Sequence, residues 1–415
     1  MIKLYPVILF CLTLSAYSAF AADTPNASID QRLEELEEKV QKLETSEQYA
    51  PQNKSIALGE AVVTPNIEVV LVGQYGYFSQ DAKNIPGFQT GDEGMRYDKG
   101  FSIQDSAIRL SANVDHMFEG VLTFAIVDEN GDDKAALEEA FIKTIDLPFG
   151  ATIKAGRLLP IFGYLNEYHK HDDDFVDRPL PYRAYLNDGF NDDGIHVSIV
   201  LPTVFYSEIG GGIFRGHGFP AKAESNSPGL VMAYARVGGG VGISSAWRLG
   251  AYYLYANSKK GRDADGLVFI GNNNLYSIDF KYTYSPTSDN KTTEFVFQAE
   301  YLFRNEKGDF ENAMASAAVN TKTSGLYAQA VYRFKKNYRL GYRYALLDAP
   351  QAPRGFENTS LDAGGRNPRM HSLMAEYNIS KFGRFRLQYN NSRTNNTTDQ
   401  QVILNYTVSF GANDD

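Results

Sequence analysis

Cysteine is all but missing from this 415-residue chain: the single one is Cys11. Everything downstream of it is therefore without a disulfide framework, a thiolate zinc site or a cysteine nucleophile. Histidine is scarce as well, at six residues (His116, His169, His171, His196, His217 and His371), none in a recognisable nucleophile motif. That leaves little on which to build a Ser–His or Asp–His hydrolase. Long apolar runs are also lacking. Beyond the N-terminal segment no stretch of about 18 apolar residues occurs, which excludes membrane-spanning helices. Basic charge falls short of acidic charge, 40 Lys and Arg against 50 Asp and Glu for a net −10, so nucleic acid is not expected as a partner.

The N-terminal segment reads as an export signal. Lys3 supplies a positive start, Val7 to Leu14 a short apolar core, and Ala19-Phe20-Ala21 the small residues of a cleavage site after Ala21. Residues 1–21 are expected to leave as a signal peptide and to take Cys11 with them; no lipobox precedes that cysteine. Ile29, Leu33, Leu36, Val40 and Leu43 then recur at heptad spacing, with Arg32 and Lys39 at g positions and Glu37 and Glu44 at the e positions that follow. Residues 22–45 are read as a short coiled-coil helix that assists a parallel oligomer; the plainer alternative is an amphipathic helix packed on its own domain. Two heptads are too few to hold together alone. Residues 46–66, polar and Pro-containing, read as a linker.

What the chain does have is aromatic residues and glycine: 27 Tyr, 26 Phe and 36 Gly. From residue 67 onward the hydrophobic period is 2. Val402, Leu404, Tyr406, Val408 and Phe410 alternate with Gln401, Ile403, Asn405, Thr407 and Ser409. The same pattern gives Phe295, Phe297, Ala299, Tyr301 and Phe303, and again Tyr338, Leu340, Tyr342 and Tyr344. An average that is polar, with every second residue suited to lipid, is the signature of a membrane β-barrel. In lipid every backbone donor needs a partner, so such strands imply closure. The predicted fold class is all-β: a 16-stranded antiparallel transmembrane barrel over 67–411 behind the helical segment. The expected strands are 67–79, 101–114, 118–128, 135–147, 150–163, 193–202, 206–216, 229–239, 243–258, 275–286, 294–307, 323–335, 338–348, 369–380, 383–394 and 400–411. Short turns near His116, Pro148, Thr203, Gly240, Asn290, Lys336 and Phe382 alternate with longer polar loops, the rhythm of periplasmic turns and outer loops.

A barrel of 16 strands is wide enough for an aqueous channel, so whatever narrows it sets selectivity. The longest insertion, about 163–193, carries Glu167, His169, Lys170, His171, Asp172, Asp173, Asp174 and Asp177. Folded inward it is the expected constriction; folded outward it is a solvated loop or a subunit contact. By parity, Arg248, Lys281, Arg304, Arg333, Arg339, Arg343, Arg384 and Arg386 fall on the lumen side, a basic wall suited to carboxylate or phosphate. The bland alternative is local pairing, or contact with lipopolysaccharide at the rim. His169 and His171 beside four aspartates raise a divalent-metal channel as an alternative. Such clusters are more often simply solvated, and no metal site or cofactor is expected. The Asp-Glu-Asn-Gly-Asp-Asp run at 128–133 lacks the closing glutamate of a calcium loop and reads as a hairpin.

The segment Ala155-Gly156-Arg157-Leu158-Leu159-Pro160-Ile161-Phe162-Gly163 at the end of the fifth strand resembles the phosphate-selective porin O and P superfamily, whose members carry a Gly-x-x-x-Pro-x-Phe-Gly segment before an inward loop. The signal, short coiled coil, linker and strand number resemble that family too. The resemblance implies a Gram-negative outer membrane, contact with its lipid and lipopolysaccharide, and a homotrimer with three separate pores. Phosphate-specific members carry a basic ladder and constriction lysines, whereas only Lys170, Arg178 and Arg183 are basic in the loop here. The reading is therefore a non-enzymatic porin for passive diffusion of small hydrophilic solutes, leaning to anions. The rival is a structural or adhesive outer-membrane protein with an occluded pore. An energy-coupled receptor would need a plug of well over 100 residues, and only about 45 precede the first strand.

Overall fold

The computed structural model describes residues 56–58, 61–63 and 65–411, apart from 130–131, 224–227, 265, 287–291 and 395–396. The expected signal peptide and coiled coil lie outside the described residues. Within the expected linker, Ile56–Leu58 and Ala61–Val63 pair as a small antiparallel sheet. The run Ile-Ala-Leu-Gly-Glu-Ala-Val-Val is hairpin-like on its own, with apolar triplets either side of Gly-Glu.

Sixteen antiparallel strands close into one barrel. They are β1 (Asn66–Phe78), β2 (Gly100–Ile103 continued by Ser106–Asn113), β3 (Phe118–Glu129), β4 (Asp132–Thr144), β5 (Ala151–Leu158), β6 (Asp192–Val200), β7 (Tyr206–Phe214), β8 (Leu230–Val241), β9 (Ser245–Asn257, with Arg262–Ala264 as a short extension), β10 (Leu267–Tyr284), β11 (Glu294–Glu311), β12 (Ser316–Lys335), β13 (Tyr338–Asp348), β14 (Arg369–Ser380), β15 (Gly383–Arg393) and β16 (Asp399–Gly411). Closure is made by β16 against β1, from Gln401↔Phe78 to Gly411↔Glu68. No sheet edge is left within it, so the backbone is satisfied strand to strand.

The burial pattern is inside out relative to a soluble protein. Along β16, Leu404 is 48% exposed while Asn405 beside it is 2% exposed. Tyr75 and Tyr77 on β1, Leu340 and Tyr342 on β13, and Leu387 and Tyr389 on β15 all face outward, and Gln74, Arg343, Gln388 and Asn390 are buried. A continuous outer band of Leu, Tyr, Phe and Ile around a polar interior is stable only against acyl chains. The alternation read from the sequence thus gives the correct face for every strand it was applied to.

Three departures have physical causes. Strand β5 ends at Leu158 rather than 163, because Pro160 has no N–H to offer the ladder. Strand β2 is interrupted at Gln104–Asp105, where Asp105 takes a positive φ of 46°. Strands β10 to β12 run on well past their expected outer ends. The stretch Leu267-Val-Phe-Ile-Gly-Asn-Asn-Asn reads locally as a loop, yet it pairs from Val268↔Glu311 to Asn274↔Asn305. Phe269, Phe310, Phe356 and Leu361 then form a separate apolar cluster on this extension. Strands β3 and β4 pair as far as Glu129↔Asp132, as a hairpin at 128–133 requires.

Candidate functional site: the inner segment and its walls

The chain between β5 and β6 enters the barrel. The turn inward is built from the motif that ends β5. Phe162 is fully buried and sits edge-on to Tyr252, ring centroids 6.1 Å apart. Gly163 follows with φ 70°, and a Cβ there would lie 2.3 Å from both the Glu300 carboxylate and the Tyr182 hydroxyl. Only glycine fits such a passage at such a dihedral.

A short helix, α1 (Leu180–Leu186), is the anchor of the segment. Pro179 and Pro181 pre-set its first turn. Asn187 ends it in the left-handed region, which Asn tolerates. All seven residues of α1 are buried, and Leu180, Tyr182, Tyr185 and Leu186 join Phe88, Phe162, Tyr327 and Leu347 in one apolar cluster inside the barrel. Burying each of these large side chains contributes roughly 1.5–3 kcal/mol. The hydroxyl of Tyr182 donates to Glu300 at 2.9 Å and accepts from the backbone N–H of Leu165.

Arg178 organises the rest. Its guanidinium donates to the Asp173 carboxylate at 2.9 Å and to the carbonyls of Asp188, Leu165 and Tyr168 at 2.7 to 2.9 Å. Asn166 closes the neck, donating to the carbonyls of Pro160 and Phe190 and accepting from the Phe190 N–H.

The acids of the segment meet the arginines of the wall. Glu167 takes a two-pronged contact from Arg236 on β8, at 3.1 and 2.7 Å. Asp174 pairs with Arg339 and Asp177 with Arg343. Gln388 and Asn390 also donate to Asp177, at 2.7 and 2.9 Å, and the Val176 N–H donates to Gln388. Arg386 donates to the Asp173 carbonyl at 2.6 Å, and Arg384 to the His171 carbonyl. Lys281 donates to the Tyr164 hydroxyl at 2.6 Å, with Arg248 over the ring of Tyr164. Arg304 lies over the Tyr185 ring and 3.6 Å from Glu306. Of the eight expected wall bases, seven therefore touch the inner segment. Arg333 instead donates to the Lys336 carbonyl at the β12–β13 turn.

Arg236 was missed by the sequence reading, although it shares parity with the buried Met232 and Tyr234 on β8. The chain between β1 and β2 was also missed as an inner element. Phe88 packs on Tyr185, the Gly94 N–H donates to Asn187, and Gln89 bonds to Arg262 on the β9 extension. Nothing in residues 79–99 sets them apart from a solvated loop, since their partners arrive from far along the chain.

The two histidines are held differently. His169 lies 3.0 Å from Glu139 and 3.4 Å from Glu138, both on β4. Burial opposes its charge, but hydrogen bonds and attraction from the two glutamates outweigh that and push its pKa up to about 10. His171 stacks on His169 with centroids 5.3 Å apart and planes 3° from parallel. Burial, together with the charge of His169, lowers its pKa despite Asp172 at 3.9 Å. Lys170 reaches Asp188, Glu93 and Asp105 at 3.2, 3.3 and 3.7 Å. Among the described residues no group of three or more His, Cys, Asp or Glu side chains is arranged to hold a metal ion.

Two recesses of about 240 Å³ each flank this histidine pair. One is bounded by Ile126, Ala136 and Phe219 near the long-loop end and by Glu93, Asp105 and Glu138. The other is bounded by Phe382 at the short-turn end and by Glu68, Asp172 and Arg384. His171 lines both.

A closed 16-stranded antiparallel barrel with a lipid-facing apolar band and a polar, segment-filled interior is an outer-membrane porin fold, which places the chain in the outer membrane of a Gram-negative bacterium. Comparisons with known proteins agree with this. An uncharacterised protein of Aquifex aeolicus (strain VF5) is 25% identical over 370 residues, covering 82% of this chain and 76% of its own. No protein-family model matches the chain. Among solved structures, the outer membrane channel DcaP of Acinetobacter baumannii superposes with a TM-score of 0.56 at 10% identity, over 86% of this chain and all of its own. The anion-selective porin from Comamonas acidovorans does so at 0.54 and 12%, over 84% of this chain and all of its own. OmpT of Vibrio cholerae in its trimer form gives 0.51 and 14%, over 84% and 99%. At these identities the likeness is one of fold.

Proposed function

We propose that the protein is a porin that lets small hydrophilic solutes cross the outer membrane passively, without enzymatic chemistry, and that the segment from Tyr164 to Asp192 is its constriction. The observation that carries this is an interior wall polar beyond what docking the segment uses: Gln298, Gln329 and Thr407 are buried on the inner face and hydrogen-bond to wall neighbours rather than to the segment. Water-sized space on either side of the inner segment supports the same reading.

The basic wall on β13 to β15 is read as the dock of this segment rather than as a ladder for anions. Its guanidiniums already have carboxylate and carbonyl partners, so the anion lean expected from their number weakens. The likeness to phosphate-selective porins over 155–163 supports a shared way of turning the chain inward. Phosphate preference would need bases free to face a solute. A homotrimer is in keeping with the trimer form of Vibrio cholerae OmpT, and the outer aromatic band would meet lipid or lipopolysaccharide wherever subunits do not cover it.

The full chain reconstituted in planar bilayers tests the reading. Stepwise, ohmic conductance is expected, with reversal potentials near zero in salt gradients. A second reading, a structural or adhesive barrel with an occluded lumen, is favoured by one observation: α1 and its aromatic partners pack the interior tightly. Absence of conductance steps from well-folded protein would decide for it.

A further inference from the structure

We infer that solutes pass between the inner segment and the barrel wall, along β3 and β4 in the outer recess and along β14 to β1 in the inner one, crossing at His171, and that this residue determines the ion preference of the pore. The inference rests on the porin reading above and names the crossing point within it.

Geometry singles the residue out. The recess on the long-loop side and the recess on the short-turn side have different walls, and the histidine is shared between them. It is fixed there by both its ends: Arg384 on β15 donates to its carbonyl, and its ring lies flat on that of His169. His169 in turn is clamped to β4 by Glu138 and Glu139. A ring so held does not swing aside, so whatever moves from one recess to the other goes past it.

Charges of both signs line the recesses. In the outer recess Glu93, Asp105 and Glu138 stand against Lys170, Arg178 and the protonated His169. In the inner one Glu68 and Asp172 stand against Lys381 and Arg384. The lining charges are equal in number, with Asp188, Asp173 and Glu139 behind the cations, and a proton on His171 adds a positive charge on the wall that both recesses share. Its lowered pKa leaves it neutral at pH 7. On acidification it gains a positive charge at the residue the two recesses share, where low-dielectric walls make one charge felt strongly. The passage then disfavours cations. Asp173 titrates on acidification as well, its pKa raised by burial to about 6 against the pull of Arg178, but it lines neither recess.

Reversal potentials of the full chain in planar bilayers, taken from about pH 7.5 down to about pH 5, test this. Wild type should shift toward anions by about threefold in permeability ratio, and His171→Gln should flatten that step. A step kept intact in His171→Gln would assign it elsewhere, to Asp173 first, and overturn the proposal. The second arm uses the near absence of cysteine. His171→Cys, treated with a cationic methanethiosulfonate, should lose more than about half its conductance with reagent on either side of the bilayer. Reaction from one side only, or conductance unchanged by complete labelling, would also overturn it. Failure of the wild type to conduct at all is a different result and removes the porin reading itself.

Discussion

The two sides of the barrel interior use charge in opposite ways. On β13 to β15, Arg339, Arg343 and Arg386 are buried and each is met by an oxygen of the inner segment. On β4, Glu138 and Glu139 hold only His169 of the segment by their carboxylates, the Glu138 carbonyl takes one bond from Asn191, and the outer recess opens beside them. The first wall is a fastener, the second a margin. Charge on a lumen wall therefore does not by itself describe what a solute encounters. It has to be counted after the protein's own inner segment has taken its share.

The strongest way to break this contrast is to loosen the inner segment that the first wall fastens. Arg178 makes four charge-assisted hydrogen bonds from a buried position, and removing one partner of a buried pair leaves the others unsatisfied. Arg178→Ala is expected to cost about 3–5 kcal/mol of stability and to loosen the segment. Urea unfolding of the reconstituted protein should show the loss, and single-channel conductance should rise and become noisy. Wild-type stability with wild-type conductance would mean that the segment is held by α1 packing alone. A smaller effect of the same kind is expected at the point of entry. Gly163→Ala forces a Cβ against Glu300 and Tyr182 at a positive φ, for roughly 1–3 kcal/mol. If the unfolding midpoint did not move, the close passage at this glycine would be wrong.

Much of this was legible from the residues. Period-2 alternation carries the face of each strand because side-chain direction in a strand is set by the backbone alone. Arg343 could thus be assigned to the lumen without any knowledge of its neighbours. The length and acidity of 163–193 marked it as the special insertion, and the Pro-x-Phe-Gly end of β5 marked where it begins. What could not be read were the partners. Asp177 and Arg343 are far apart along the chain, and whether an arginine faces water or a carboxylate depends on a pairing that no local pattern encodes. The same limit hid Glu167–Arg236 and the inward course of residues 79–99. It also hid the outer lengths of β10 to β12, where ladder pairing overrides an Asn-rich stretch that would form a loop alone.

The mildest test uses the one base of the expected wall that stays out of the dock. Arg333 is half-buried, donates to the Lys336 carbonyl within its own hairpin, and touches nothing in the inner segment. If the contrast between the two walls holds, its charge matters neither to fastening nor to the crossing at His171. Arg333→Gln should then leave the unfolding free energy within about 0.5 kcal/mol of wild type. Its reversal potential should match wild type at every pH. Arg339, a cross-strand neighbour at the same level of the barrel, supplies the internal control. Arg339→Gln breaks contacts to both Asp174 and Glu376 and should destabilise clearly. Equal effects from the two substitutions would mean that position along the strand, rather than contact with the inner segment, governs what a lumen arginine does.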